Sequence, residues 1–473
     1  MSIQIKEICC IGAGYVGGPT MAVIAHHCPH ININVVDLNE KRIKDWNDSD
    51  LSRLPIFEPG LRELIIKSRG INLHFSTQIE EKLRFADMIF ISVNTPTKTK
   101  GIGAGQASDL KWVEASARQI SRYAKDKAIV VEKSTLPVRT AQTIKQILEA
   151  PKRDLINDTS KLKSFFVLSN PEFLSEGTAI NDLENPDRVL IGGEDNEAIN
   201  SLIEIYLNWV DKEKILTTNL WSSELSKLIS NAFLAQRISS INSFSALCEA
   251  TGADIRDVSL AIGADKRIGK YFLNSGPGFG GSCFKKDLLN LVYICNHYGL
   301  YEVSSYWQKV VDINNWQRKR IAKIIIEKLF GTITGKNIAI FGFAFKANTN
   351  DTRESSAISI CKELIEEGAN LCIYDPKVSK NQIEKDLELD ENNRDSSTNQ
   401  EGSWSFCESI VEAANDADAI VILTEWREFK QINWELLSNV LREPAWLFDT
   451  RSIANTKQAK EFGINVWELG NGV

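Results

Sequence analysis

The stretch ICCIGAGYVGGPTMAVIAHH, Ile8 to His27, decides the fold. Residues Ile5 to Ile11 read as a buried strand, and glycines at 12, 14 and 17 turn it into a helix. Gly12 and Gly14 allow the tight turn and the approach of backbone to a pyrophosphate, and Gly17 lets the helix pack on the strand. The helix N-terminus favours phosphate charge. A second strand, Ile33 to Val36, ends in Asp37, at the distance where an acid reaches a ribose hydroxyl, and that acid selects NAD over NADP. Strand, glycines, helix, strand and acid together predict half of a doubly wound α/β domain. Its cradle comprises Gly12, Ala13, Gly14, Tyr15, Val16, Gly17 and Asp37. Arg42 either touches the adenosine or is a solvated helix charge.

Further strands extend the sheet. Met88 to Val93 runs into Asn94, Thr95, Pro96 and Thr97, and Ala128 to Val131 runs into Glu132, Lys133, Ser134, Thr135, Leu136 and Pro137. Ligands of open parallel sheets bind beyond the carboxyl ends of strands, where both clusters fall. Thr97 and Thr135 are candidates for the cofactor's walls or for helix caps. Lys98 to Gln106 is a flexible loop. Phe165 to Leu168 leads into SNPEFLSEG, whose Glu172 and Glu176 would share a face if helical, with Phe173 and Leu174 arguing for partial burial. Asp187 to Gly192 is expected to close this domain.

At 473 residues the chain is long enough for about three domains. A net charge of −7 lacks the basic footprint of a nucleic-acid surface. No apolar run is long enough to span a bilayer and no signal peptide is recognised, so a cytoplasmic protein is expected. Nine cysteines without a CxxC pair suggest neither a disulfide framework nor a metal site.

A long helix is predicted over Trp221 to Ala250, with Ser222 as its cap and an apolar surface (Leu225, Leu228, Ile229, Ala232, Phe233, Leu234) that makes it largely buried. Lys227 and Asn231 interrupt that surface four residues apart, on one face. The lysine either snorkels to water or lines a polar cavity with the asparagine. GPGFGGSCFKKD, Gly276 to Asp287, then sets one cysteine in a glycine-rich turn before an apolar helical stretch, Leu288 to Cys295. Cys283 at a helix start, near Lys285 and Lys286, would favour the thiolate, with Asp287 one turn along to act on water. The other reading is a small buried core residue. A second helical stretch covers Trp307 to Phe330. Strands at Lys336 to Phe343, Asn370 to Tyr374, Ala419 to Leu423 and Trp446 to Phe448, with a helix at Ser355 to Glu367, form a second α/β domain. Its single Gly342 argues against a second NAD, and Lys346, Arg353 and Arg451 past strand ends suit an anionic ligand. Asp386 to Ser405 reads as a disordered surface insertion.

With these pieces assembled, the chain resembles the UDP-glucose/GDP-mannose dehydrogenase family. The resemblance is carried by GAGYVGGPT (Gly12 to Thr20), VNTPTKT (Val93 to Thr99), EKSTLPVRTA (Glu132 to Ala141), LSNPEFLSEGTAI (Leu168 to Ile180), SELSKLISNAFLAQRISSIN (Ser223 to Asn242), GFGGSCFKKD (Gly278 to Asp287) and FGFAFKANTNDTRESS (Phe341 to Ser356). It implies two Rossmann-like doubly wound domains joined by a long central helix: an NAD-binding domain at 1–218, a helical dimerisation region at 219–332 and a UDP-sugar-binding domain at 333–473. The activity implied is a four-electron oxidation of UDP-glucose to UDP-glucuronate with two NAD and one water, through a thiohemiacetal and a thioester on Cys283. The resemblance implies that Lys227 and Asn231 stabilise oxyanion charge, Asp287 and Thr135 handle water, and Glu172 does acid–base work. Val93, Asn94, Thr95, Pro96, Thr97, Ser134, Thr135, Glu176, Arg42 and Arg353 would contact the cofactor. The sugar nucleotide would lie against Glu172, Phe173, Leu174, Glu176, Lys227, Asn231, Phe272, Asn274, Gly278, Phe279, Gly280, Lys346 and Arg451, with Arg267 donated by a neighbouring subunit of a dimer or larger homo-oligomer. No metal is implied. Asn274 and Gly276 depart from the lysine and serine of animal members, and Ala347 and Asn350 stand where many relatives have lysine and glycine. A GDP-mannose or UDP-N-acetylhexosamine dehydrogenase is the nearest alternative. A catalytically silent binding protein is the alternative of another class.

Overall fold

The computed structural model describes residues 2–150, 163–391 and 402–472. The chain divides into two compact units, Met1–Ser230 and Asn231–Val473.

The first unit is built on an eight-stranded sheet of β1 (Glu7–Ile11), β2 (Asn32–Val36), β3 (Leu73–Ser76), β4 (Met88–Ile91), β5 (Ala128–Glu132), β6 (Phe165–Ser169), β7 (Val189–Gly192) and β8 (Ile215–Thr218). The spatial order is β3-β2-β1-β4-β5-β6-β7-β8. The first six strands are parallel, β7 meets β6 antiparallel, and β8 runs parallel to β7. Alternate residues of the same strands feed two cores: Cys10, Val35, Phe90 and Val131 on one face, Cys9, Val36, Ile89 and Val130 on the other. Both faces are covered, which is why the strands read as continuous apolar runs. Two helices place the site: α1 (Gly17–His27) follows β1, and α2 (Thr140–Glu149) follows β5. The expected last strand, Asp187 to Gly192, is shorter, and β8 lies outside it. The half-exposed, threonine-bearing ILTT carries too weak an apolar signal to read as a strand.

Helix α3 (Leu220–Thr251) runs unbroken through the boundary between the units. Its start is capped by Asn219, whose Oδ1 accepts the Ser222 N–H at 2.8 Å, so the expected cap Ser222 lies in the first turn. The helix is not buried all round: Leu228 and Ala232 are fully buried, while Phe233, Phe244 and Leu247 are about half exposed at 55%, 49% and 57%.

The second unit continues with α4 (Ile255–Gly263), α5 (Phe284–His297) and α6 (Tyr301–Lys328). A six-stranded parallel sheet follows: β9 (Asn337–Phe341), β10 (Asn370–Tyr374), β11 (Ser403–Phe406), β12 (Ala419–Ile422), β13 (Trp446–Asp449) and β14 (Asn465–Glu468), ordered β11-β10-β9-β12-β13-β14. Helix α7 (Ser356–Glu366) lies between β9 and β10 in sequence. The strand order repeats that of the first six strands of the first sheet, and so does the wiring. Gly12 N–H donates to Val36 O at 2.8 Å and Ala13 N–H to Asp37 Oδ2 at 2.9 Å; Gly342 N–H donates to Tyr374 O at 2.8 Å and Phe343 N–H to Asp375 Oδ2 at 2.7 Å. The supposed insertion is corrected at both ends: Asp386 and Leu387 finish a helix, and Ser403–Phe406 is the edge strand β11. Trp404, buried at 1%, anchors that strand. Residues 392–401 lie outside the described residues.

Candidate active site

In the first unit the strand order reverses between β1 and β4, and the predicted cradle stands at their carboxyl ends. Gly12 has φ +110°, and a Cβ there would fall 2.2 Å from Ser92 O; one on Gly17 would fall 2.0 Å from Gly12 O. These two glycines serve chain packing. Gly14 has open space where a Cβ would stand, and among the described residues no side chain caps the start of α1. An uncapped helix start beside an open glycine fits a pyrophosphate. Asp37 ends β2 with Oδ2 on the Ala13 N–H and Oδ1 on the Asn39 N–H at 2.9 Å. Arg42 reaches Asp37 Oδ2 at 3.0 Å, so its charge lies on the ribose-type acid.

The loops after β4 and β5 are stitched together. Ser134 Oγ donates to Val93 O at 2.7 Å, and Thr95 Oγ1 donates to Thr135 O at 3.1 Å. Thr97 caps no helix: it bridges to Ser108, and Lys98 N–H donates to Ala107 O at 2.8 Å, so the loop between them is a closed turn. Thr135 caps none either, because Arg139 takes that position for α2. Glu172 and Glu176 do not share a helical face. Residues 170–175 are irregular. Glu58, which sequence reasoning missed, holds the following turn by accepting the N–H groups of Gly177 at 2.7 Å and Ala179 at 3.0 Å. Glu172 is nevertheless buried, with Oε1 3.7 Å from Lys227 Nζ. Its Oε2 is buried without a hydrogen-bond partner among the described residues. Phe173, half-buried like Leu174, lies under two cations, with its ring centre 3.8 Å from the Arg188 guanidinium carbon and 5.5 Å from Lys227 Nζ.

In the second unit Cys283 occupies the N-cap position of α5 and is exposed, so the buried-core reading of this cysteine fails. Asp287 is buried at 2%, donates its N–H to Cys283 O at 2.9 Å, and accepts the Asn231 amide on Oδ2 at 2.6 Å. Lys286 Nζ lies 3.9 Å from Asp287. Lys285, expected to support the thiolate, is clasped by both oxygens of Glu354 at 2.9 and 3.0 Å. The glycine loop is held by α6. Gln317 donates to Gly276 O at 3.0 Å, Asn314 accepts the Phe279 N–H at 2.8 Å, and Arg318 donates to Phe279 O at 2.7 Å and to Glu354 O at 2.8 Å. Burial holds the Arg318 guanidinium below its ordinary pKa, against the pull of Glu354. A Cβ on Gly278 (φ +125°) would meet Asn314 Oδ1 at 2.8 Å, and one on Gly280 would meet Glu354 O at 2.6 Å, so these glycines admit neighbouring chain. Asn314, Gln317 and Arg318 were missed although their signal was present: polar residues at i, i+3 and i+4 between Val310 and Ile321 mark a buried polar stripe.

Of the remaining predicted contacts in this unit, Arg353 and Arg451 border the glycine loop. Arg353 forks onto Asp351 at 2.9 Å, and its carbonyl accepts the Gly281 N–H at 2.8 Å. Arg451 is fixed by Leu423 O at 2.8 Å, Phe345 O at 3.2 Å and Glu425 at 3.1 Å, and a Cβ on Gly276 would lie 3.2 Å from its Nη1. Lys346 lies over the Phe345 ring at 5.6 Å. Phe272, at φ +60°, sets its ring edge toward Phe284, Asn274 is exposed, and Phe279 is buried. Arg267 projects into solvent with its side chain 89% exposed, forked onto Asp265.

Comparison with known proteins joins these parts. Residues 6–210 match the NAD binding domain of the UDP-glucose/GDP-mannose dehydrogenase family, 221–316 its central domain and 339–456 its UDP binding domain. The chain is 53% identical to UDP-glucose 6-dehydrogenase of Mus musculus, covering 100% of this chain and 94% of that protein. The Caenorhabditis elegans enzyme of the same name is 53% identical, covering 99% and 95%. A UDP-glucose dehydrogenase from the archaeon Pyrobaculum islandicum superposes with a TM-score of 0.82 at 28% identity, covering 99% of this chain and 98% of that one. With all three of its domains matched and relatives 53% identical over nearly the whole chain, the chain belongs to the UDP-glucose/GDP-mannose dehydrogenase family.

Proposed function

We propose that this chain oxidises UDP-glucose to UDP-glucuronate, removing four electrons from the sugar's primary alcohol with two NAD and one water. The reading is supported by the relatives that share half or more of its residues. The observation that carries it is Cys283, exposed at a helix start one turn from a buried carboxyl. Making a carboxylate from an aldehyde calls for a nucleophile whose acyl adduct water can cleave, and a thiolate is such a group.

Bound NAD supplies the hydride acceptor, and the residues fitted to hold it are the Gly12–Gly17 turn, Asp37, the loops bearing Val93 to Thr97, Ser134 and Thr135, with Glu176 and Arg353. The Cys283 sulfur adds to the C6 aldehyde carbon as a thiohemiacetal, whose oxidation leaves a thioester. Water then cleaves the thioester, releasing carboxylate and thiol. Glu172, with one buried oxygen that has no partner among the described residues, exchanges the proton of the sugar hydroxyl. The Lys227 ammonium balances charge on the reacting oxygen. Asn231 does so too and also holds Asp287, which takes a proton from the water that Thr135 orients. Lys346, Arg451, Phe272, Asn274 and the Gly278–Gly280 turn hold the sugar nucleotide.

The same reading divides the chain into functional regions 1–218, 219–332 and 333–473. It makes the working form a dimer or larger homo-oligomer, with Arg267 serving the neighbouring copy. An arginine side chain 89% exposed and a half-exposed apolar face on α3 support that form. A cytoplasmic location fits nine cysteines outside any disulfide.

The test is NADH released per UDP-glucose consumed at limiting sugar nucleotide. A ratio near two for wild type, with turnover arrested in Cys283→Ser, is expected. A ratio near one would demote Cys283 to a structural residue. No turnover would reassign the substrate to another nucleotide sugar.

A further inference from the structure

Strand β5 ends in Glu132, 2% exposed, whose carboxyl lies against that of Glu224 of α3, 3% exposed. Glu224 is rich in donors. Its Oε2 accepts the Arg139 N–H at 2.6 Å, and its Oε1 accepts the Ala141 N–H at 2.7 Å. These are the amides at the start of α2, where a helix presents orphan donors and positive partial charge. Glu132 has no such supply, and its buried Oε2 has no donor among the described residues. Neither carboxyl forms an ion pair with a lysine or arginine among those residues. The Lys133 ammonium goes to Asn170 at 3.1 Å and Tyr206 at 3.3 Å, and the Arg139 guanidinium lies over the Trp221 ring at 5.3 Å. Two buried carboxylates in contact without a cation cannot both be ionised. Burial, reinforced by Glu224, pushes the Glu132 pKa well up; burial also raises that of Glu224, against the pull of the amides.

We propose that Glu132 keeps its proton and donates it to an ionised Glu224, and that this pair is a positioning device which fixes the start of α2 and the turn carrying Thr135. Arg139 stands there at φ +75°, a left-handed backbone that a non-glycine residue holds only when its surroundings enforce it. The effect on turnover rests on the role of Thr135 proposed above; the clamp itself does not.

The same isosteric change at the two positions separates the roles. In Glu132→Gln the amide N–H replaces the carboxyl O–H, so amide exchange over 139–143 and kcat should stay within about twofold of wild type. In Glu224→Gln one oxygen must serve amides that used two, so exchange over 139–143 should quicken by about tenfold or more and kcat should fall, with KM for UDP-glucose unchanged. Equal damage from both changes, or a marked rise in the thermal midpoint of Glu132→Gln, overturns the shared proton. A protonated-carboxyl infrared band at neutral pH, present in wild type and lost in Glu132→Gln, reads the proton without requiring Glu224→Gln to fold; its absence in wild type overturns the proposal. Quickened exchange with unchanged kcat leaves the clamp standing and removes Thr135 from the reaction.

Discussion

Among the described residues no side chain caps the start of α5, so the helix presents its positive end where the Cys283 sulfur stands. The two lysines that follow are spent differently from what their spacing suggests: Lys285 is neutralised by Glu354, and Lys286 stays within 3.9 Å of Asp287. The Asp287 carboxyl in turn depends on the 2.6 Å bond from Asn231. Replacing Asn231 by Leu should cost about 1–3 kcal/mol of stability, read from the urea midpoint, because a buried carboxyl loses a donor. A change under about 0.5 kcal/mol would assign the holding of Asp287 to Lys286 instead. Cys283 and Asp287 were legible in sequence because glycine spacing and helix period are local. The neutralisation of Lys285 was not, since Glu354 lies sixty-nine residues further along the chain.

Among the elements, α3 carries the most consequence, because Glu224, Lys227 and Asn231 all ride on it. Its start is set by Asn219, in which an amide oxygen bonds a first-turn N–H, and such caps contribute about 0.5–2 kcal/mol. Asn219→Ala should lower the thermal midpoint accordingly, and Ser222→Ala should leave it within about 0.5 kcal/mol of wild type. Equal losses would return the cap to Ser222. The long helix and the βαβ runs were readable from periodicity. The strands β8 and β11 were not, because four residues with polar members at a sheet edge carry little periodic signal and are fixed by pairing with β7 and β10.

For the whole molecule, the two sheets share one strand order and one turn wiring, yet only the first leads from its turn into a nearby helix start. Helix α1 begins five residues after Gly12, whereas α7 begins fourteen after Gly342. The intervening Phe345 to Ser355 segment packs on the glycine loop instead. If Arg267 serves a neighbouring copy, mixing Arg267→Ala with Cys283→Ser subunits should restore part of the activity that each lacks alone, measured as NADH release after subunit exchange. Failure to restore any, with exchange confirmed by mass, would confine Arg267 to its own subunit.

The sequence by itself determined the doubly wound class, the NAD-type glycine turn, the acid after the second strand and the placement of a cysteine at a helix start, because each depends on residues within one or two turns of chain. Tertiary structure alone decided which glycines serve packing, that Lys285 pairs with Glu354, and that Glu132 meets Glu224 at the start of α2. Those outcomes depend on burial and on partners distant in sequence, and no local spacing encodes them.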